Sequence, residues 1–218
     1  FHDKGLEKLE AKNYVEAIKD FDLALQKDKN HAPSYCDKAR AEAEIGKKEE
    51  ALKNFEQAIK LKSDYIDAYY YRGLLYHKLK DDKAIADFSK TIQLDPKKTD
   101  AYLKRGFYYY QKKQENEALK DFNKAIDLKC TNTDVYYFRG KINAQKNNTV
   151  EALSDFNEVI KKNPLHSESL IERGKIYLSQ KKLELALKDF NTCVANRLNT
   201  EEIYSVRAEC YLQMGKFD

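Results

Sequence analysis

Asp100–Ile126, DAYLKRGFYYYQKKQENEALKDFNKAI, decides the fold. Gly106, Ala118, Phe122 and Ala125 in this stretch return 34 residues later as Gly140, Ala152, Phe156 and Val159. A second step reaches Gly174, Ala186, Phe190 and Cys193. In the other direction stand Ala84 with Phe88, Ala51 with Phe55 and Ala17 with Phe21. Successive alanines lie 34, 33, 34, 34 and 34 residues apart. A fixed period of this length implies a stack of short repeats, each burying its apolar face on its neighbours, rather than one globular core.

Each repeat reads as two amphipathic helices around a polar turn. Tyr102, Gly106 and Tyr109 share one face of the first helix, and Ala118, Phe122, Ala125 and Ile126 share one face of the second, with the turn near 113–116. The small Gly106 and Ala118 are expected where the two helices cross most closely, with Phe122 filling the space before the next pair. Pro96 and Pro164 close their repeats, because proline cannot continue a helix interior. Asp67, Asp100, Asp134, Glu168 and Glu202 stand near helix starts, where a carboxylate meets exposed amides and the positive end of the dipole.

Charged residues make up 35% of the 218-residue chain, but their signs alternate and the net charge is only +4. That describes a solvated surface and argues against a nucleic-acid binder. No run is long enough for a membrane span, so no membrane insertion is expected. No secretory signal pattern opens the chain. Cys36, Cys130, Cys193 and Cys210 show neither paired nor metal-ligand spacing, and Cys193 falls on a core position. A reducing, cytoplasmic setting is the simplest expectation. The sequon Asn147-Asn148-Thr149 would matter only in a secreted protein.

The pattern closely resembles the tetratricopeptide repeat family, whose 34-residue helix–turn–helix unit places a bulky residue, a small residue, an aromatic, Ala, Phe, Ala and Pro at set positions. With Gly106 as position 8, that position is Gly5, Ala39, Gly73, Gly106, Gly140, Gly174 and Ala208. Position 4 is Tyr35, Tyr69, Tyr102, Tyr136, Leu170 and Tyr204, and position 24 is phenylalanine in six repeats. The resemblance covers essentially the whole chain. It implies an all-α, right-handed α-α superhelix of six helix-turn-helix units plus one further helix. The units run 1–31, 32–65, 66–98, 99–132, 133–166 and 167–200, with a partial unit at 201–218. Position 27 is relaxed to Thr91, Val159 and Cys193, and the third repeat lacks one residue, which predicts a tighter, functionally inert turn at Asp81-Asp82.

Phe1 already stands at position 4, and Gly215-Lys216-Phe217-Asp218 matches the turn before a second helix. The sequence therefore reads as a fragment of a longer protein. The last helix would expose Tyr211, Met214 and Phe217, which raises self-association through that end as an alternative.

Enzyme motifs are missing. His2, His31, His77 and His166 are scattered over different repeats without metal-ligand spacing, and each glycine recurs at position 8 or sits in a turn. No catalytic residue, metal or cofactor is expected. The resemblance points instead to a groove lined by first helices, with positions 2, 5, 6, 9, 12 and 13 facing inward. The candidate partner-binding residues are Tyr70, Tyr71, Leu74, Leu103, Lys104, Phe107, Tyr110, Tyr137, Phe138, Lys141, Ile171 and Lys175. A contiguous apolar strip of this kind fits a protein or peptide segment, with the lysines meeting acidic groups. The competing reading is that curvature buries these rings between neighbouring first helices. The acids at position 2 read as dipole partners or as an acidic rim.

The carboxylate clamp of chaperone-binding members, which hold the C-terminal tails of Hsp70 and Hsp90, is not satisfied. Position 5 reads His2, Cys36, Tyr70, Leu103, Tyr137, Ile171 and Ser205, and position 9 never holds asparagine. A co-chaperone-like scaffold without that clamp is the implied role. Finally, Arg72, Arg105, Arg139, Arg173 and Arg207 precede position 8, and Asp20, Asp87, Asp121, Asp155 and Asp189 precede the phenylalanine. They are expected to pair between successive repeats, as Asp87–Arg105 and Asp121–Arg139, in a structural ladder.

Overall fold

The computed structural model describes residues 1–197 and 200–215. Among the described residues there are thirteen helices and no strand. The chain divides into two compact units. The first, Phe1–Lys112, holds α1 (His2–Glu10), α2 (Tyr14–Lys27), α3 (Ala32–Glu44), α4 (Lys48–Leu61), α5 (Ile66–Lys78), α6 (Lys83–Leu94) and α7 (Thr99–Gln111). The second, from Lys113 onward, holds α8 (Glu115–Asp127), α9 (Asp134–Gln145), α10 (Thr149–Lys162), α11 (Ser167–Ser179), α12 (Leu183–Ala195) and α13 (Glu201–Gln213). Phe217, placed in the exposed end by sequence, lies outside the described residues.

Within each unit sequential helices pack in antiparallel neighbour contacts, as short connections require. The first helices also touch one another, α1 on α3, α3 on α5 and α5 on α7 in the first unit, and α9 on α11 and α11 on α13 in the second. These contacts set the first helices side by side in a row within each unit.

The phenylalanines of position 24 are buried and face the next pair as expected: Phe88 shares a core cluster with Ala101 and Tyr108 of α7, Phe55 with Ala68 and Leu75 of α5, and Phe190 with Ile203 and Cys210 of α13. A Cβ added at Gly73, Gly140 or Gly174 would lie 2.9, 2.9 or 2.6 Å from Phe88, Phe156 or Phe190 of the same helix pair. Each glycine is therefore a seat for the ring of its own hairpin. The same ring thus closes its own hairpin and reaches the next pair.

The charge ladder needs a correction. Arg72 donates from Nε and Nη2 to Asp87 at 2.8 and 2.7 Å, Arg139 donates to Asp155 at 3.0 and 2.6 Å, and Arg173 donates to Asp189 at 2.8 and 2.6 Å. Each fork closes its own hairpin. The link to the preceding pair comes from the remaining nitrogen, and its acceptor is neutral. Arg105 reaches Ser89 at 2.7 Å, Arg139 reaches Asn123 at 2.7 Å and Arg173 reaches Asn157 at 2.6 Å. A planar guanidinium has enough donors in fixed directions to do both, which a lysine does not.

The missing residue of the third repeat comes out of the start of α6, which begins one residue before Ala84 where α8 begins three before Ala118. The turn carries structural bonds. Asp81 accepts from the backbone N–H of Lys83 at 2.9 Å, and Asp82 accepts from the Tyr108 hydroxyl at 2.8 Å and pairs with Lys112 at 2.6 Å. The turn thus fastens α6 to the end of α7.

Candidate functional site

The row of first helices in the first unit is built from α1, α3, α5 and α7. Tyr71 on α5 is half-buried, with the Arg40 guanidinium stacked 4.1 Å from its ring centre, a cation–π contact. Arg40 also donates to Asp37 at 2.7 Å. Asp37 is buried, and burial pushes its carboxyl up while Arg40 pulls it back. Tyr70 meets Tyr71 edge-on at 5.3 Å and leans on Phe88 at 6.2 Å. Lys98 stands 5.3 Å over Tyr70 and 3.6 Å from Asp67, so one acid of the presumed rim is already matched.

The sequence candidates separate by burial. Leu103 is only 3% exposed, and Tyr70 and Ile171 are also buried, so these three serve packing rather than an open groove. Burial pushes the Tyr70 hydroxyl well above its ordinary range, as expected of a ring inside the lattice. Tyr71, Leu74, Lys104, Phe107 and Tyr110 are half-buried in the first unit, and Tyr137, Phe138, Lys141 and Lys175 in the second. In the second unit Tyr137 meets Phe138 at 5.1 Å, Phe156 at 6.4 Å and His166 at 5.2 Å, while Lys141 stands 5.6 Å over the Tyr137 ring. Lys175 is held by Glu202 at 2.5 Å and Glu172 at 3.8 Å. An acidic partner would have to displace those carboxylates, which removes Lys175 from the expected cation set.

A cleft of about 290 Å³ opens on the first unit's row of first helices. Tyr71 and Leu74 line it, as do Leu9, Tyr14, Arg40, Ala43, Glu44 and Lys78. Lys78 stands at inward position 13 of the third repeat but outside the candidate set, and the other five lie in the first two repeats, which hold few aromatic residues at the inward positions. The second unit has a hollow of about 400 Å³ lined by Leu119, Asn123, Arg139, Asn143, Val150, Glu151 and Ser154, so one arginine of the ladder and its asparagine partner form part of its wall.

The histidines are less scattered than their spacing suggests. His2 and His31 meet edge-on at 4.9 Å, and the Ser34 hydroxyl lies 2.7 Å from His31 Nδ1 and 3.2 Å from His2 Nδ1. His2 Nε2 is 3.7 Å from Asp37. A serine, a histidine and an aspartate thus adjoin, but Ser34 is fully buried and has no path to a substrate. His31 and His166 instead cap α3 and α11 by accepting from the backbone N–H of Ser34 and Ser169. The cysteines form no disulfide; Cys193 is fully buried and its thiol is pushed up to about 11, chiefly by burial. Among the described residues no helix is long and apolar enough to cross a membrane, and no His/Cys/Asp/Glu group is arranged to hold a metal.

Known proteins match this architecture. Family profiles described as TPR repeat match residues 39–80, and profiles described as Tetratricopeptide repeat match residues 67–98, 99–129 and 139–197. No curated protein matches the chain. Among solved structures, YrrB, titled a TPR protein with an unusual peptide-binding site, is 23% identical with a TM-score of 0.76, over 86% of this chain and 97% of that one. MamA is 23% identical with a TM-score of 0.67, over 75% of this chain and 96% of that one. PilF of Pseudomonas aeruginosa is 16% identical with a TM-score of 0.80, over 95% of both chains. At these identities the likeness is one of fold.

Proposed function

The chain belongs to the tetratricopeptide repeat family, and we propose that it is a protein-interaction scaffold that takes a partner segment on the inward faces of its first helices. The observation that carries this reading is the half-buried aromatic and aliphatic set on those faces. Tyr71, Leu74, Phe107 and Tyr110 in the first unit, and Tyr137 and Phe138 in the second, keep apolar surface in water that the hairpin cores do not consume. Tyrosine and phenylalanine are efficient anchors, because a large rigid ring loses little rotamer freedom when it is covered. Lys104 supplies a cation, and Lys141 a second beside the Tyr137 ring. Arg40 and Leu74 occupy position 9 on α3 and α5, and Arg40 is committed to Asp37 and Tyr71, which speaks against a carboxylate clamp.

Proteins co-isolating with the wild-type chain should be lost with Tyr71→Ala/Phe107→Ala at an unchanged melting temperature. Equal retention by both chains would sink the groove. Peptides ending in the acidic tail bound by chaperone clamps should not bind.

A second reading, assembly through α13, is favoured by one observation: Leu212 is 60% exposed. Concentration-dependent association that Leu212→Glu abolishes would establish it.

A further inference from the structure

The repeat place occupied by Leu9 on α1 and His77 on α5 is held by Ala43 on α3. A methyl group stands where both neighbours carry a large side chain, and the cleft of about 290 Å³ lies there. We propose that this cleft is a specificity pocket for one bulky apolar side chain of an extended peptide, with an acid and a base close to that anchor in sequence. The proposal rests on the groove reading and names the feature that the groove selects.

Three properties of the cleft define the occupant. Its walls include Leu9, Tyr14, Leu74 and the ring of Tyr71, so the inserted group is apolar. Its volume sits at the low end of the roughly 300–1,000 Å³ of small-molecule sites, which fits a single side chain better than a whole ligand. Its charges are Arg40, Glu44 and Lys78. Arg40 is spoken for, bonded to Asp37 and stacked on Tyr71, and acts as wall. Glu44 and Lys78 are exposed, of opposite sign, and carried by adjacent first helices. A phosphate or a polyacid would meet one available cation beside one anion, a poor receptor. A peptide with an apolar anchor between an acid and a base meets both charges with their complements.

The test is a selection of random dodecapeptides displayed on phage against the folded chain, followed by titration of the enriched sequences as synthetic peptides. Enriched peptides should share a Leu, Ile, Met or Phe with an Asp or Glu and a Lys or Arg within a few residues. Ala43→Phe, which fills the cleft, should weaken them at least tenfold without lowering the melting temperature. Ala43→Leu serves if the phenylalanine variant does not fold. Lys78→Glu should weaken the same peptides, and exchanging the peptide acid for lysine should restore them.

Peptides that bind both Ala43 variants as tightly as wild type but are weakened by Phe107→Ser/Tyr110→Ser overturn the pocket and leave the groove standing. Peptides indifferent to all of these substitutions, or no enrichment, overturn both. Self-association of the wild-type chain in sedimentation experiments that Ala43→Phe abolishes would overturn the peptide in favour of a second copy.

Discussion

The two units build the same helix pairs with different polar bonds. In the second, Arg139 and Arg173 repeat one motif: a fork to the aspartate of their own hairpin and a third bond to an asparagine of the pair before. In the first two hairpins of the first unit the motif is scrambled. Lys8 pairs with Asp20 at 2.5 Å, Lys38 reaches Asp22 at 2.6 Å, and the acid has moved to the first helix, where Glu42 accepts from Asn54 at 2.7 Å. The apolar cleft at Ala43 lies beside this irregular stretch, while the hollow of the second unit takes in Arg139 and Asn123 of the regular ladder. Regular polar bonding marks where the lattice is only a lattice. The departure in charge at Glu42 lies one residue from Ala43; the small residue alone is not the difference, because Ala144 holds the same repeat place in the second unit.

The largest expected effect breaks the regular motif. Asp155→Ala leaves the Arg139 guanidinium without its main acceptor in a mostly buried site, and loss of one partner of such a pair costs about 3–5 kcal/mol. Asp155→Asn should cost less. Burial already pushes the Asp155 carboxyl up, with Arg139 opposing, so its charge is kept at some expense, and an amide oxygen still accepts one bond. Glu42→Gln in the scrambled region should cost about 1 kcal/mol or less, since Asn54 can still donate to an amide oxygen. Urea denaturation of the three variants ranks them; equal losses for Asp155→Asn and Asp155→Ala would show that the ionic part dominates.

The ring seat gives the next effect. Gly174→Ala puts a Cβ 2.6 Å from the Phe190 ring, an overlap relieved only if ring or helix shifts, at about 1–3 kcal/mol. Ala39, at the equivalent place over Phe55, already carries that methyl group and is fully buried. Ala39→Gly should therefore cost rather than stabilise, by about 0.5–1 kcal/mol from helix propensity. Opposite signs for the two changes would show that the lattice needs glycine as such, not a local fit. At about 2–4 °C per kcal/mol for a chain of this size, thermal melts resolve both.

A third effect belongs to the first unit. Burial lowers the His2 and His77 imidazoles from their ordinary 6.5, so the folded chain holds them neutral. As pH falls below about 6.5 the unfolded chain binds protons first. Their contribution is therefore whole above that pH and is lost as pH drops through the lowered folded values. Around His2 stand Asp37, His31 and Asp3, and Lys104 acts on His77. Melting temperatures between pH 8 and pH 5 should fall for the wild type and flatten for His2→Gln/His77→Gln. Parallel curves would mean that other groups set the acid limit.

The fold was readable because its determinants are periodic: six phenylalanines and their small partners at one spacing leave little choice of architecture. The ladder was assigned to the wrong interface because Asp87 lies at similar distances along the chain from Arg72 and Arg105, and only the approach of α5 to α6 decides between them. Burial of Tyr70, Leu103 and Ile171 was unreadable because it depends on how closely neighbouring first helices approach. The Ala43 cleft escaped notice for the opposite reason. It is made by missing volume, and a search for bulky or charged groups passes over an alanine.

The smallest effect compares the turns. The first helices α1, α5, α9 and α11 are followed by Lys12, Lys80, Asn147 and Lys181 in the left-handed region, φ between 57° and 62°, whereas α3 is followed by Gly46 at φ 84°. Left-handed backbone crowds the Cβ of an L-residue against the following carbonyl, at roughly 1–2 kcal/mol, which glycine avoids. Part of that gain is offset because glycine widens the unfolded ensemble, an effect of about 0.4–1 kcal/mol. Lys181→Gly in the regular region should therefore raise stability by at most about 1 kcal/mol, while Gly46→Lys beside the cleft should lower it by a similar amount. Nothing lies within 4 Å of a Cβ built on Gly46, so its loss would be backbone strain alone. If Gly46→Lys were neutral in chemical denaturation, the lysines at these turns would be unstrained, and glycine at Gly46 would owe nothing to conformation.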